Sequence, residues 1–409
     1  MDKRIGLLGE NISHSYSPKI FSLLGDFEYL LFPTSKENFE EFFKNNRLDG
    51  FNVTIPYKVK AMELCDTLSE EAKAIGCVNT VIRNSDGTSH GENMDVFGFE
   101  YMAEKINCDF SGKKVVVLGS GGSSRTVKYV AEKHGASEIV IISRTGENNY
   151  ENIEKHTDAD VIVNTTPVGM YPGNGKSPVD LAIFKSCKKV LDLIYNPSRS
   201  VLIQQAQELG IDCINGLYML VCQAIRSANL LLGENIRDDV ADSVYEQLEK
   251  EQKNIVFIGM PGCGKTTIGR LLAEKTGRDF VDTDGEIELE FGLINEFFKR
   301  SGEQEFRKIE KEVIERVCKE SGTVISTGGG VVLLPENITA IRENATVVYL
   351  DAPLGRLEMT GRPLSRDRMT LMKMYFKRAK LYEKCADFKV SVSPDPEETL
   401  RSVIECISL

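Results

Sequence analysis

A chain of 409 residues is longer than one hydrophobic core usually serves, so two or three domains are expected. With 41% hydrophobic and 27% charged residues, and with glycine and proline scattered rather than repeated, the composition excludes disordered and fibrous classes. A formal charge of -11 and a pI near 5.2 leave no basic footprint, which argues against nucleic acid or an anionic membrane surface as a partner.

The opening MDKRIGLLGE leads straight into a strand-like run, and no apolar stretch is long enough to cross a bilayer, so a cytoplasmic protein is expected. Ten cysteines lie far apart with no C-x-x-C pair, which suggests small core residues rather than a zinc or redox site.

Short apolar runs predict strands at Ile5–Leu8, Val115–Leu118, Ile139–Ile142, Val161–Asn164 and Val190–Leu193, alternating with helical stretches. That alternation is the pattern of parallel α/β architecture. Before the second of these strands come HSYSP (His14–Pro18), FNVTIPYK (Phe51–Lys58), GCVNT (Gly76–Thr80) and GENMDVFG (Gly91–Gly98). The strand KKVVVLG then runs into a glycine-rich turn, Gly119, Ser120, Gly121, Gly122 and Ser123, that opens a helix and resembles the dinucleotide signature G-x-G-x-x-G/A. The next strand ends on Ser143, Arg144 and Thr145, where an NAD enzyme would place an acid for the ribose hydroxyls. An arginine in place of that acid favours a 2′-phosphate, hence NADP. NTTPVGM (Asn164–Met170), DLIYNP (Asp192–Pro197) and GLYMLVCQA (Gly216–Ala224) follow, and then a polar helical tail, Asp242–Lys253.

The α/β rhythm restarts at NIVFIG, which places the main boundary near Lys253. With no tandem repeat, the two halves read as different machines fused end to end. GMPGCGKT (Gly259–Thr266) satisfies G-x-x-x-x-G-K-[ST] between a strand and a helix. Its loop amides, with Gly262, Cys263, Gly264 and Thr267 around them, suit the phosphates of ATP. Lys265 can reach the outer phosphates and the Thr266 hydroxyl can ligate Mg²⁺. One helix later FVDTDGEIE places Asp282 and Asp284 two apart at the end of a strand, so both are expected to point toward the same face. One would serve magnesium and the other an acceptor hydroxyl.

The second half resembles shikimate kinase, through D-x-D (Asp282, Asp284), G-E-x-x-F-R-x-x-E (Gly302–Glu310), S-T-G-G-G (Ser326–Gly330), R-P-L (Arg362–Leu364) and R-A-x-L-Y-E (Arg378–Glu383). The resemblance spans almost all of 254–400. It implies that Asp284 positions and deprotonates the 3-hydroxyl of shikimate, that Asp282 joins Thr266 in the magnesium shell, and that Arg307 and Arg378 hold the substrate carboxylate. Gly328, Gly329 and Gly330 would let backbone approach the ring, and Arg362 would sit in a mobile lid over ATP. The run GRLEMTG between Leu354 and Arg362 is shorter than the family's usual approach to that lid.

The first half resembles shikimate dehydrogenase across essentially all of 1–250, through the ordered motifs quoted above. The resemblance implies that Ser15 and Ser17 bind the substrate carboxylate and that Thr54, Asn79 and Gln223 hold ring hydroxyls. Lys58 and Asp95 would form the catalytic pair, Tyr195 and Met219 would border the nicotinamide and ring, and Gly216 would let backbone approach the cofactor. A ketone reduced by hydride becomes an alkoxide that needs a proton, and an ammonium oriented by a carboxylate can supply it. Two departures stand out: the family's N-T-D-G reads Asn93-Met94-Asp95-Val96, and its H-N after S-P-x-x reads Phe21-Ser22. His14 reads as a structural neighbour of the serines.

The expectation is therefore an α/β chain: a two-domain dehydrogenase, with an α/β substrate domain plus a Rossmann domain, followed by a P-loop α/β kinase domain. Its expected domains are 1–95 with returning helices at 226–250, then 96–225, then 254–409. It would reduce 3-dehydroshikimate with NADPH and phosphorylate shikimate with MgATP. Two alternatives stand beside it: an NAD-dependent quinate dehydrogenase in the first half, or one half serving as a ligand-binding module without turnover. Oligomeric state is not legible.

Overall fold

The computed structural model describes residues 3–13, 15–357 and 368–408; His14, the end of the short GRLEMTG run and Arg362–Leu364 lie outside them. Contacts group the chain into two units, one of Met1–Met170, Ser177–Tyr195 and Gln205–Leu248, the other of Tyr171–Lys176, Asn196–Gln204 and Glu249–Leu409.

The first unit holds two sheets. Strands β1 (Ile5–Gly9), β2 (Tyr29–Pro33), β3 (Gly50–Val53), β4 (Thr67–Leu68), β5 (Thr80–Arg83) and β6 (Ser89–Glu92) form one, in the order β2-β1-β3-β5-β6-β4. β1 runs parallel to β2 and β3, whereas β5 turns antiparallel and sets Thr80 opposite Asn52. Strands β7 (Lys114–Leu118), β8 (Glu138–Ile142), β9 (Val161–Asn164), β10 (Lys189–Asp192) and β11 (Asp212–Asn215) form the other, parallel throughout, in the order β11-β10-β9-β7-β8. Val115–Leu118 are fully buried, which is why a continuous apolar run rather than an alternating one marks this strand.

Helix Leu217–Leu232 stitches this unit together. Val221, Ile225 and Ala228 pack with Ile5 and Leu7 of the first sheet, and Ala241, Val244 and Leu248 of the helix Val240–Gln252 complete that cluster. Its other neighbour is helix Asp95–Lys105. At the crossing stands Gly98, where an added Cβ would lie 2.4 Å from the Met219 carbonyl oxygen, so only glycine lets the two helices approach so closely.

In the second unit, β12 (Asn254–Ile258), β13 (Phe280–Asp282), β14 (Val324–Ser326), β15 (Ala345–Asp351) and β16 (Phe388–Ser391) form a parallel sheet ordered β13-β14-β12-β15-β16. β12 is central and buried along its length, and its C-terminal end aims the glycine loop. Helices Lys265–Thr276, Ile294–Val317, Arg368–Cys385 and Pro396–Ile407 surround the sheet; the long second one breaks at Gly302 (φ 81°).

Candidate active sites

In the first unit the proposed residues come from loop ends and helix starts around the six-stranded sheet. Lys58 opens helix Lys58–Leu64, and Asp95 opens helix Asp95–Lys105, where the helix dipole favours a negative charge. Lys58 Nζ donates to Asp95 Oδ2 at 2.6 Å, with side chains 22% and 10% exposed, a short charge-assisted pair shielded from water. Burial pulls the Lys58 ammonium down, but the adjoining Asp95 carboxylate outweighs it and the net direction is up. Asn79 Nδ2 donates to the other carboxylate oxygen at 2.8 Å, and Asn93 Oδ1 accepts from the Asp95 amide at 3.1 Å. The departure at Met94 leaves this bonding whole, because it is the backbone amide of Met94 that donates to Asn79 Oδ1, at 2.7 Å.

Ser15 and Ser17 lie together at the start of helix Ser17–Leu24, their hydroxyls 3.2 Å apart, and the Tyr16 and Tyr195 rings meet there at 5.1 Å between centroids. Thr54 follows β3, its amide bonded to the Leu8 carbonyl of β1. Gln223 lies beside Gly98, one helical turn beyond Asp95. Met219 is buried in the core and Gly216 packs on the Leu193 carbonyl, 2.2 Å from where a Cβ would stand. The structure therefore gives both a packing reason, beside the cofactor contacts expected of them.

The dinucleotide turn leaves β7 at Gly119 (φ 104°), where a Cβ would stand 2.8 Å from Thr165 Oγ1. Gly121 and Gly122, which begin helix Gly122–Lys133, have nothing within 4 Å of a would-be Cβ. Open backbone at a helix N-terminus fits a pyrophosphate. Beyond β8, Ser143 Oγ accepts from the Gly146 amide at 2.8 Å and closes a tight turn whose tip is Arg144 and Thr145, both exposed.

In the second unit one cavity of about 620 Å³ is lined by every described kinase-half residue singled out from the sequence, from Gly262 to Thr267 of the loop to Arg378. Lys265 is folded back, buried, and donates to the Gly259 and Met260 carbonyls at 3.1 and 3.0 Å, so the loop satisfies its own cation. Thr266 Oγ1 donates to Asp282 Oδ2 at 2.7 Å, which sets two hard oxygen donors together.

One expectation about the paired aspartates is corrected. β13 ends at Asp282, and Asp284 lies in the first turn of helix Thr283–Phe291; Asp282 Oδ1 caps that helix by accepting the Asp284 amide at 3.1 Å. Both carboxylates reach the cavity by a strand-to-helix corner rather than by the twofold period of a strand.

The glycine run lies under two guanidiniums. A Cβ on Gly330 would stand 2.2 Å from Arg307 Nη1, and the Gly329 carbonyl accepts from Arg378 Nη1 at 2.9 Å. Arg378 is buried and its Nε has no hydrogen-bond partner among the described residues. Glu310, which carries no role in the sequence reading, also lines the cavity and pairs with Arg307 at 2.7 Å. Burial pushes the Glu310 carboxyl up and the Arg307 charge only partly offsets it. Its signal is present in the sequence, three residues after Arg307 on one helix face.

Residues 7–81 match the family model for the shikimate dehydrogenase substrate binding domain, and 261–408 match the family model for shikimate kinase. A shikimate dehydrogenase (NADP(+)) of Clostridium perfringens strain SM101 is 35% identical over 268 residues, which cover 60% of this chain and 98% of the relative. Among solved structures, a chorismate mutase/shikimate 5-dehydrogenase fusion protein from Clostridium acetobutylicum matches with TM-score 0.58 and 37% identity, over 61% of this chain and 98% of that one. A shikimate 5-dehydrogenase from Thermus thermophilus, in complex with NADP(H) and shikimate, matches with TM-score 0.55 and 26% identity, over 60% and 99%.

Proposed function

We propose that this chain, which belongs to the shikimate dehydrogenase family and carries a shikimate kinase domain behind it, performs two consecutive reactions. The first reduces 3-dehydroshikimate to shikimate and the second phosphorylates the 3-hydroxyl of shikimate. The observation that carries this reading is that two separately built sites on one chain match families named for the same compound.

When bound, NADPH supplies the hydride of the first reaction and MgATP the phosphoryl group of the second. Ser15 and Ser17 hold the substrate carboxylate, and Thr54, Asn79 and Gln223 hold its hydroxyls. Lys58 gives its proton to the oxygen that becomes an alkoxide, while Asp95 keeps the ammonium aimed; in the reverse direction the pair takes the proton back. The upward direction of the Lys58 ammonium means that its proton leaves only as negative charge builds on that oxygen. Gly119 to Ser123 would cradle the pyrophosphate, and Arg144, with Ser143 and Thr145, the 2′-phosphate.

In the kinase domain Asp284 accepts the proton of the substrate hydroxyl, and Arg307 and Arg378 hold the carboxylate. Thr266 and Asp282 would hold magnesium, and Lys265 would leave its two loop carbonyls for the outer phosphates. The cation cluster at Gly329 and Gly330, with a buried N–H on Arg378 that has no partner among the described residues, supports an anionic substrate there. A cytosolic place of action, where NADPH and ATP are both available, belongs to the same proposal.

The test is to supply purified protein with 3-dehydroshikimate, NADPH, Mg²⁺ and ATP, and to follow NADPH by absorbance and shikimate 3-phosphate by mass spectrometry. Both signals are expected, with Lys58→Ala removing the first and Lys265→Ala removing phosphorylation of added shikimate. NADPH consumption with no phosphate ester formed would refute the kinase assignment.

A further inference from the structure

Behind the Lys58–Asp95 pair, Asn79 backs onto a row of polar side chains, Thr80, Asn52, Ser227 and Tyr29, to which the reaction gives no role. Asn79 Oδ1 accepts from two donors, the Met94 amide at 2.7 Å and the Thr80 hydroxyl at 3.1 Å. The Met94 amide can only donate, so the oxygen end of the Asn79 amide is fixed there and the nitrogen end must face Asp95. The Thr80 hydroxyl in turn accepts from Asn52 Nδ2 at 2.9 Å and lies 3.0 Å from Ser227 Oγ, which also accepts from Asn52 at 2.9 Å. Asn52 is oriented by Tyr29, whose hydroxyl donates to Asn52 Oδ1 at 2.8 Å.

The donors along this row point the same way: from Tyr29 through Asn52, Thr80 and Asn79 to the Asp95 carboxylate, which Lys58 meets from the other side. The row's side chains, with Ser227, are buried or nearly so. Burying so many polar side chains is costly unless each is satisfied, and apolar side chains of the same shape would fill the space at less cost. A purely architectural account leaves that choice unexplained.

We propose that Thr80, backed by Asn52 and Ser227, is a positioning residue for hydride transfer: it locks the Asn79 amide so that Asp95 and Lys58 keep their mutual aim. This rests on the dehydrogenase reading given above.

Thr80→Val removes the hydroxyl at constant shape, and Thr80→Ser restores it. With shikimate and NADP⁺, Thr80→Val is expected to lower kcat by about 10- to 100-fold, as misaimed groups do, with the KM for NADP⁺ within about twofold of wild type. Thr80→Ser should recover to within about threefold. In ¹⁵N spectra the Asn79 side-chain amide, assigned through Asn79→Asp, should stay protected from exchange in wild type and Thr80→Ser and lose protection in Thr80→Val. Should Thr80→Val not fold, Ser227→Ala takes its place, with the same directions and a smaller loss. A folded Thr80→Val enzyme with wild-type kcat and a protected Asn79 amide overturns the proposal. If the wild-type chain does not oxidise shikimate, the dehydrogenase reading falls, and the amide measurement still decides whether Thr80 holds Asn79.

Discussion

Replacing Gly330 with alanine isolates the substrate side of the kinase cavity. The backbone there (φ -96°, ψ -6°) suits any residue, so the perturbation is the methyl group alone. That methyl would stand 2.2 Å from Arg307 Nη1 and 2.5 Å from Nη2, well inside contact, and the guanidinium must withdraw by about an ångström. It is not free to do so, because Glu310 holds it at 2.7 Å with side chains 12% and 2% exposed. Losing one charge-assisted hydrogen bond of this kind costs about 1.5–3 kcal/mol, or roughly 10- to 100-fold in binding. Gly330→Ala should therefore raise the KM for shikimate by that factor while the KM for ATP stays within about twofold, since the phosphate loop is untouched. A coupled ADP-release assay at saturating levels of each substrate in turn measures both. A folded variant whose shikimate KM matches wild type would refute the placement of the substrate carboxylate at Arg307.

Chelation of divalent metal should abolish phosphorylation and leave hydride transfer intact, with Mg²⁺ restoring the kinase, because Thr266 and Asp282 pair their oxygen donors beside the phosphate loop; loss of both activities would count against that division. The Lys58 ammonium is raised above its ordinary value of 10.5, so the stability it lends through Asp95 is fully present below 10.5 and is lost only as pH climbs through the still higher folded value. Reduction of 3-dehydroshikimate should accordingly show no alkaline loss due to Lys58 across the neutral range, and an alkaline limb near neutrality that Lys58→Arg displaces would contradict it. Burial pushes the half-buried thiols Cys65 and Cys213 up to about 11, so iodoacetamide at pH 8 should leave both unmodified, by peptide mass mapping, while free cysteine in the same tube is consumed.

Legibility follows burial. Strands covered on both faces, such as Val115–Leu118 and Val161–Asn164, announce themselves as unbroken apolar runs, and the structure extends or keeps them. The strand expected at Val190–Leu193 begins and ends one residue earlier, because Leu193 leaves the sheet and offers its carbonyl to the close approach of Gly216. The hairpin of Thr80–Arg83 and Ser89–Glu92 gives no such signal: SHGE is polar and its strands are held by antiparallel pairing. Local residue types locate the phosphate loop, the Lys58 and Asp95 motifs and the glycine run. What they cannot supply is distance across the fold. The clash that reserves position 330 for glycine comes from Arg307 on another element, and the row from Tyr29 to Asn79 draws on three strands and a helix. Asp284 is misread for a local reason, since the twofold period of a strand does not hold where a capped helix begins.

The strand order of the kinase sheet has a consequence for synthesis. β12 leaves the ribosome first of its sheet yet pairs with β14 and β15, which are made far later, after the helices that precede them. Parallel partners so distant must wait for long loops to close. The phosphate loop at the end of β12 thus emerges early but gains its last walls only when the chain has been translated past Arg378 to Thr399, so a nascent chain holding the nucleotide motif is not yet able to spend ATP.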